Sequence, residues 1–321
     1  MSINLLNLAP GKLSATDLQA ITNLGVTVLN PTGLTPAQFD SVDIVFGWNG
    51  DVIDQLLNSS QSNLKWIQLT SAGIDYLPLK RLAEHHIMVS NVSGAYSQPI
   101  AESVIAFILF YTRDLSALLT AKQNHSWLDK NELATHMSLL KQQKVVIFGT
   151  GSIAQHIAKL LNGFGNFPVG INHSGHPADG FSSTETLTNA ADVVKTADII
   201  INTLPLTAET TDYFNADFFD LIQDLNIFIS VGRGKSLDQT ALLSAMRTNR
   251  VHRAALDVFQ QEPVPADSPL WDQPNLIVSP HATPGIDGTN PIIFDILEKN
   301  LRQFIVDGTL ATNQVDLQRG Y

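Results

Sequence analysis

"KVVIFGTGSIA" (Lys144–Ala154) lies almost at the middle of a 321-residue chain. An apolar run ends on Gly149-Thr150-Gly151-Ser152-Ile153-Ala154, which fits G-x-G-x-x-[GA], and the amphipathic stretch "SIAQHIAKLLNGFG" (152–165) follows. A strand that turns through glycines into a helix is the context in which this motif holds a dinucleotide. Gly149 allows the tight turn, Gly151 lets the backbone approach a pyrophosphate, and small Ala154 lets helix and strand close on each other. The phosphates then face the unpaired amides at Ser152 and Ile153 and the positive end of the helix dipole.

Outward from this turn the second half reads as an α/β series. Predicted strands are Val145–Phe148, Val169–Asn172, Asp198–Thr203, Ile227–Val231, Ala254–Val258 and Leu276–Ser279. Helical patterns such as "FNADFFDLI" (214–222) and "LDQTALLSAMRTN" (237–249) lie between them. Six strands with crossovers suit a doubly wound parallel sheet. The first 95 residues show a similar rhythm, with strands in "VTVLN" (26–30), "DIVFGW" (43–48), "LKWIQLTSAG" (64–73) and "HIMVSNVSG" (86–94). Between the halves, "PIAESVIAFILFYTRDLSALLTAKQN" (99–124) predicts one long helix that crosses between domains or packs in a dimer interface. The amphipathic helix after "ATPG" (282–285) is not needed by the six-strand set, so it is expected to return to the first domain. The expected fold is α/β, with a Rossmann domain (98–282) inserted in a smaller flavodoxin-like substrate domain (1–97 and 283–321).

Composition narrows the function. A formal net charge of −11 disfavours nucleic acid and anionic membranes, and the absence of cysteine excludes disulfides, thiolate metal sites and a thiol nucleophile. The first residues lack the pattern of a signal peptide, and "SVIAFILFY" (103–111) is too short to span a bilayer. The expectation is a soluble, cytoplasmic protein that needs no metal. At the end of the second cofactor-domain strand, "VGINHSGHP" (169–177) offers no acid for a ribose 2′-hydroxyl and no Arg for a 2′-phosphate. Asn172, His173, Ser174 and His176 are potential phosphate donors, and no carboxylate repels a phosphate. The cofactor is therefore expected to be NAD(P), with NADP slightly favoured over NAD.

Three later stretches, "FISVGRGKSLD" (228–238), "ALDVFQQEP" (255–263) and "NLIVSPHAT" (275–283), set Arg233, Glu262 and His281 at successive strand ends. Together with the Gly-rich turn, "NTLPLTAETTDYF" (202–214) and "TSAGIDYL" (70–77), they make the chain resemble the D-isomer-specific 2-hydroxyacid dehydrogenases. That resemblance implies that Arg233 grips the carboxylate and carbonyl of a 2-keto acid with its rigid fork of donors. It implies that His281 protonates the carbonyl oxygen as general acid and that Glu262 stabilises the imidazolium and fixes its ring. It also assigns Asp257 to the nicotinamide carboxamide, Thr203, Leu204 and Pro205 to the adenosine side, and Val231 and Gly232 to the nicotinamide. The amides of Ala72, Gly73 and Ile74 are assigned to the substrate carboxylate. Asp238 and Glu102 read as structural, and His85, His86, His125, His136, His156 and His252 as surface or core residues. Hinges are expected near Gly94–Ser97 and Ala282–Gly285, and a homodimer through the cofactor domain.

Departures from the family pattern refine the expectation. Ser230 replaces an Asn, which predicts one lost side-chain hydrogen bond. Trp48 and Asn49 stand where phosphoglycerate-oxidising relatives carry a basic residue, so a small unphosphorylated acid such as glyoxylate or hydroxypyruvate is favoured. Glu262 disfavours formate oxidation, for which that branch has Gln. The alternatives are a phosphoglycerate dehydrogenase and, in another class, an NAD(P)H-sensing corepressor-like binding protein.

Overall fold

All ten strand pairings in the two sheets of the computed structural model are parallel, and each sheet belongs to one unit of the chain. The structure describes residues 3–287 and 290–318. One unit comprises Met1–Tyr96 and Ile286–Tyr321, and the other Ser97–Gly285.

In the first unit β1 (Ile3–Asn7), β2 (Val26–Leu29), β3 (Ile44–Phe46), β4 (Trp66–Gln68) and β5 (Met88–Ser90) stand in the order β2-β1-β3-β4-β5. The flavodoxin-like order places its switch point between β1 and β3. Register puts Leu6, Val45, Ile67 and Val89 in one row and Leu5, Ile44 and Trp66 in the neighbouring one. The first row packs with Ile53 and Leu56 of helix Gly50–Asn58 and Leu82 of helix Leu79–Glu84. The second packs with Ile293, Leu297 and Leu301 of helix Pro291–Asp307. Because both faces are covered, the strands are mostly apolar, and the polar Asn7, Gln68 and Ser90 stand buried at strand ends.

The second unit is built on β6 (Val145–Phe148), β7 (Val169–Asn172), β8 (Ser183–Thr186), β9 (Ile199–Asn202), β10 (Leu225–Ser230), β11 (Val251–Leu256) and β12 (Leu276–Val278). Their order is β12-β11-β10-β9-β6-β7-β8, the doubly wound arrangement with a seventh strand. The strand beyond the predicted six is β8, whose polar sequence "STET" has no buried residue and carries no apolar period. The predicted helix over 99–124 is two helices, Ser97–Thr112 and Leu115–Gln123, bent by 66°. Asp114 makes the break with φ +48, a conformation that Asp tolerates, and accepts Ser116 Oγ at 3.1 Å. The first of these helices packs on helix Ser152–Gly163 within the second unit. Among the described residues no single helix is long and apolar enough to cross a membrane.

The carboxyl end of β6, flanked by β7 on one side and β9 on the other, is the switch point of the second sheet. Ligands of such sheets lie outside the carboxyl ends of the strands at that point. Asn172 closes β7, while Gly149, Thr203, Arg233, Asp257 and His281 follow the ends of β6, β9, β10, β11 and β12 in turn. One edge of one sheet therefore gathers them, with strands about 4.8 Å apart.

Candidate active site

Gly149 has φ +91, and its amide donates to Ile171 O at 2.8 Å. A Cβ there would lie 2.5 Å from Thr203 Oγ1, which itself donates to Phe148 O at 2.8 Å. Glycine is thus demanded by both the dihedral and the neighbouring strand end. Gly151 differs. It precedes helix Ser152–Gly163 as N-cap, has no side-chain cap, and a Cβ on it would meet nothing within 4 Å. Open space before uncapped helix amides at Ser152 and Ile153 is the cradle a pyrophosphate fits. Ala154 is fully buried against the sheet.

At the end of β7, Asn172 is committed to its own loop. Its Nδ2 donates to Thr150 Oγ1 at 3.1 Å and His176 O at 3.0 Å, and its Oδ1 accepts Gly175 N at 2.6 Å. Ser174 accepts His176 N at 3.3 Å. Of the polar residues there, His173 and His176 are open; the His173 side chain is 84% exposed, with Nε2 3.9 Å from Glu209 Oε2. An acid absent from the local sequence thus arrives from the loop after β9.

Arg233 follows β10 in extended backbone and donates from Nη1 to Gly232 O at 2.8 Å. Its turn is anchored from beneath by a buried polar network. Asn202 Nδ2 donates to Ser230 Oγ at 3.1 Å and Ser236 Oγ at 2.8 Å, and Ser236 Oγ donates to Arg233 O at 2.6 Å. Asn202 Oδ1 accepts Leu204 N at 3.0 Å. Ser230, expected to lose a bond, keeps one by accepting from Asn202. Val231 is buried, its amide donating to Asn202 O at 3.0 Å, while Pro205 is exposed and its carbonyl accepts Thr210 Oγ1 at 2.6 Å. Gly232 and Gly234 leave no room for a side chain. A Cβ on the first would lie 2.6 Å from Leu204 O, and one on the second 1.9 Å from Phe259 O.

Glu262 and His281 meet. His281 Nδ1 is 2.8 Å from Glu262 Oε2, and Phe259 N donates to Glu262 Oε1 at 2.9 Å. The side chains are 48% and 37% exposed, so the far edge of the imidazole is open to a ligand. His281 holds φ +53 in a turn in which its amide donates to Ser279 O at 2.9 Å. Asp257 is 1% exposed, and its carboxylate accepts from Ser279 Oγ, Ala282 N, Thr283 N and Thr283 Oγ1. Asp238 accepts Thr240 N and Ala241 N at the start of helix Gln239–Arg247, and Glu102 accepts Gln98 Nε2.

In the first unit the loop after β4 presents Ala72, Gly73 and Ile74. Its carbonyls are engaged: Asn91 Nδ2 donates to Ala72 O at 2.9 Å and Ser71 Oγ to Gly73 O at 3.0 Å. Among the described residues no protein acceptor takes the three amides. Tyr76 OH lies 2.7 Å from Ser71 Oγ, and its ring meets Trp48 edge-on at 5.8 Å. Asn49 caps helix Gly50–Asn58 by accepting Val52 N at 3.1 Å.

Sequence reading missed Asn202, Ser236, Ser279, Thr283 and Glu209. A polar Asn ending the apolar run "DIII" of 198–201 was a signal for the first. Ser and Thr two residues either side of His281 were another. Glu209 had none, because only the fold brings its loop to the end of β7.

The geometry agrees with what the chain resembles. The family model for the NAD binding domain of D-isomer specific 2-hydroxyacid dehydrogenases matches residues 105–283. Glyoxylate/hydroxypyruvate reductase B of Citrobacter koseri is 27% identical over 244 residues, 76% of this chain and 75% of that protein. The crystal structure of phosphoglycerate dehydrogenase from Lactobacillus plantarum is 34% identical, covering 98% of this chain and 100% of that one, with TM-score 0.58. A D-isomer specific 2-hydroxyacid dehydrogenase from Xanthobacter autotrophicus, solved with NADPH and MES, is 25% identical with full coverage of both chains and TM-score 0.83. With a Gly-rich turn before uncapped helix amides and a His–Glu pair gathered at one sheet edge, this chain belongs to the D-isomer specific 2-hydroxyacid dehydrogenases, NAD(P)-dependent oxidoreductases that act on CH–OH donors.

Proposed function

We propose that the enzyme reduces a small, unphosphorylated 2-keto acid of the glyoxylate or hydroxypyruvate type to its D-2-hydroxy acid, with His281 as proton donor. The observation that carries this reading is the 2.8 Å contact between His281 Nδ1 and Glu262 Oε2. With Nδ1–H donated to the carboxylate, Nε2 is the ring atom left to deliver a proton to the carbonyl oxygen. When bound, the nicotinamide supplies the hydride. Arg233 polarises the carbonyl and binds the carboxylate with fixed donors. The family resemblance makes the amides of Ala72, Gly73 and Ile74, within the first unit, candidates for binding a substrate carboxylate. The uncapped amides at Ser152 and Ile153 are the candidates for the pyrophosphate.

Trp48 and Asn49 support the unphosphorylated substrate, since one is packed against Tyr76 and the other is spent on a helix cap. The likeness to a phosphoglycerate dehydrogenase keeps a second reading in view, and one assay decides between them. Initial rates of NADPH and NADH oxidation are compared with glyoxylate, hydroxypyruvate, pyruvate and phosphohydroxypyruvate. Higher kcat/KM on an unphosphorylated acid supports the proposal, and preference for phosphohydroxypyruvate overturns it. The exposed Leu118, Leu119 and Trp127 of the second unit fit the homodimer that the family resemblance implies.

A further inference from the structure

We propose that Asp257 is a positioning residue for His281, acting by holding the Ser279–Thr283 turn rather than chiefly by contact with the nicotinamide. The proposal rests on the reading of His281 as proton donor. Three observations lead to it. The carboxylate is enclosed, with only 1% of Asp257 exposed. Its Oδ1 accepts Ser279 Oγ at 2.5 Å, Ala282 N at 2.8 Å and Thr283 N at 3.1 Å, and its Oδ2 accepts the Thr283 hydroxyl. These donors bracket His281 on both sides in the chain, and His281 itself sits at φ +53.

Histidine takes such a conformation more readily than most side chains, yet at some cost, so the anchoring of the turn decides how firmly it is held. Inside the turn the single backbone bond runs from His281 N to Ser279 O. The restraint comes from Asp257, whose buried charge is balanced by donors from three of the five turn residues. Holding residues 279, 282 and 283 to β11's end leaves His281 at the apex, where its Nδ1 finds Glu262 Oε2. Both partners of the proton-donating pair thus hang from the segment that follows β11: Glu262 five residues after Asp257, and His281 through Asp257's own carboxylate. Thr283 O also lies 3.4 Å from Ser103 Oγ, a weaker tether on the far side of the turn.

The test uses Asp257→Asn, Thr283→Val and Thr283→Ser in the full-length enzyme. Three quantities are measured for each: dissociation constants of NADPH and NADH by fluorescence, kcat and KM for the keto acid, and ring resonances of His281 in histidine-labelled protein. The positioning role predicts that Thr283→Val, which removes only the hydroxyl donor, lowers kcat about tenfold, short of the roughly hundredfold that a one-ångström misplacement costs. Cofactor affinity stays within about twofold, the His281 resonances shift, and Thr283→Ser restores all three.

The nicotinamide is addressed with the 3-acetylpyridine analogue of the cofactor, whose acetyl group lacks the amide donor. If Asp257 acts through the turn, the losses from Asp257→Asn and from the analogue multiply. If it acts through the carboxamide, Asp257→Asn costs nothing further with the analogue, and the proposal is overturned. Unshifted His281 resonances in Thr283→Val also overturn it. Should resonances shift while His281→Ala keeps full turnover, the clamp stands and the reading of His281 as donor is what fails.

Discussion

His281 Nδ1 stands 2.8 Å from Glu262 Oε2, and the other oxygen of that carboxylate is held by the Phe259 amide at 2.9 Å. The imidazole is therefore oriented by a group that is itself oriented. His281→Ala is expected to lower kcat by about 10² to 10⁴, the usual worth of a positioned proton donor. Glu262→Gln keeps an acceptor but removes its charge, and a charged hydrogen bond exceeds a neutral one by about 1–1.5 kcal/mol. Its kcat should fall roughly 5- to 13-fold. Steady-state rates with cofactor affinity measured alongside check both, and equal losses in the two variants would contradict the ordering.

The two glycines of the turn should separate folding from binding. Gly149→Ala forces a side chain into φ +91 and against Thr203 Oγ1, costing about 1–3 kcal/mol, so melting of its unit should drop by several degrees. Gly151→Ala meets nothing within 4 Å and should melt within about 1 °C of the parent. If the amides at Ser152 and Ile153 hold the pyrophosphate as proposed, its Cβ stands in the way of the phosphates, and NADPH and NADH should both bind about tenfold or more weakly, a loss of about 1.4 kcal/mol. Calorimetry and fluorescence titration distinguish the two effects.

Glu209, 3.9 Å from His173 just past the end of β7, puts a carboxylate beside the residues proposed to meet the adenosine ribose. Neutralising it by Glu209→Gln should raise the ratio of kcat/KM for NADPH over NADH about fivefold, from roughly 1 kcal/mol of relieved repulsion in high dielectric. Raising the salt concentration should shrink the effect. An unchanged ratio at low salt would remove Glu209 from cofactor choice.

Tyr111 is buried, and its hydroxyl is directed at the carbonyls of Ala254 (2.6 Å) and Asn275 (3.0 Å). Burial pushes this hydroxyl's pKa above its ordinary value of 10.0. The protonated form is the one the fold favours, so its contribution is complete below pH 10 and is lost as pH rises beyond it. Tyr111→Phe should cost about 0.5–1.5 kcal/mol at neutral pH through loss of the hydroxyl's own bonds, because Asn275 O keeps the Ala254 amide at 3.0 Å. It should also flatten the decline in stability above pH 10 that denaturant titrations reveal in the parent.

The parts of this molecule legible in its sequence are those fixed by short-range pattern. The turn at Gly149–Ala154 announces itself because strand, glycines and helix are contiguous. Arg233, Glu262 and His281 are recognisable because each follows an apolar strand that ends abruptly. Edge strand β8 is invisible because polar "STET" has no buried face to impose a period. The bend at Asp114 is equally silent, since an apolar helical pattern continues across it and only a left-handed dihedral marks it. Long-range partners are the other gap. Asp257 could be placed at the end of β11, but not bound to residues 279–283, which lie more than twenty positions later. Glu209 and His173 sit on different loops, and Asn202 reaches Ser236 across 34 positions. Such contacts are properties of the strand order, not of any local window.

The most direct test of the account is the absorbance loss of NADPH and of NADH with purified enzyme and glyoxylate or hydroxypyruvate, run beside His281→Ala, with the chirality of the hydroxypyruvate product determined. The account predicts turnover by the parent, a loss of about two orders of magnitude or more in the variant, and D-glycerate alone. Tight cofactor binding without turnover on any 2-keto acid, or full activity in His281→Ala, would contradict it.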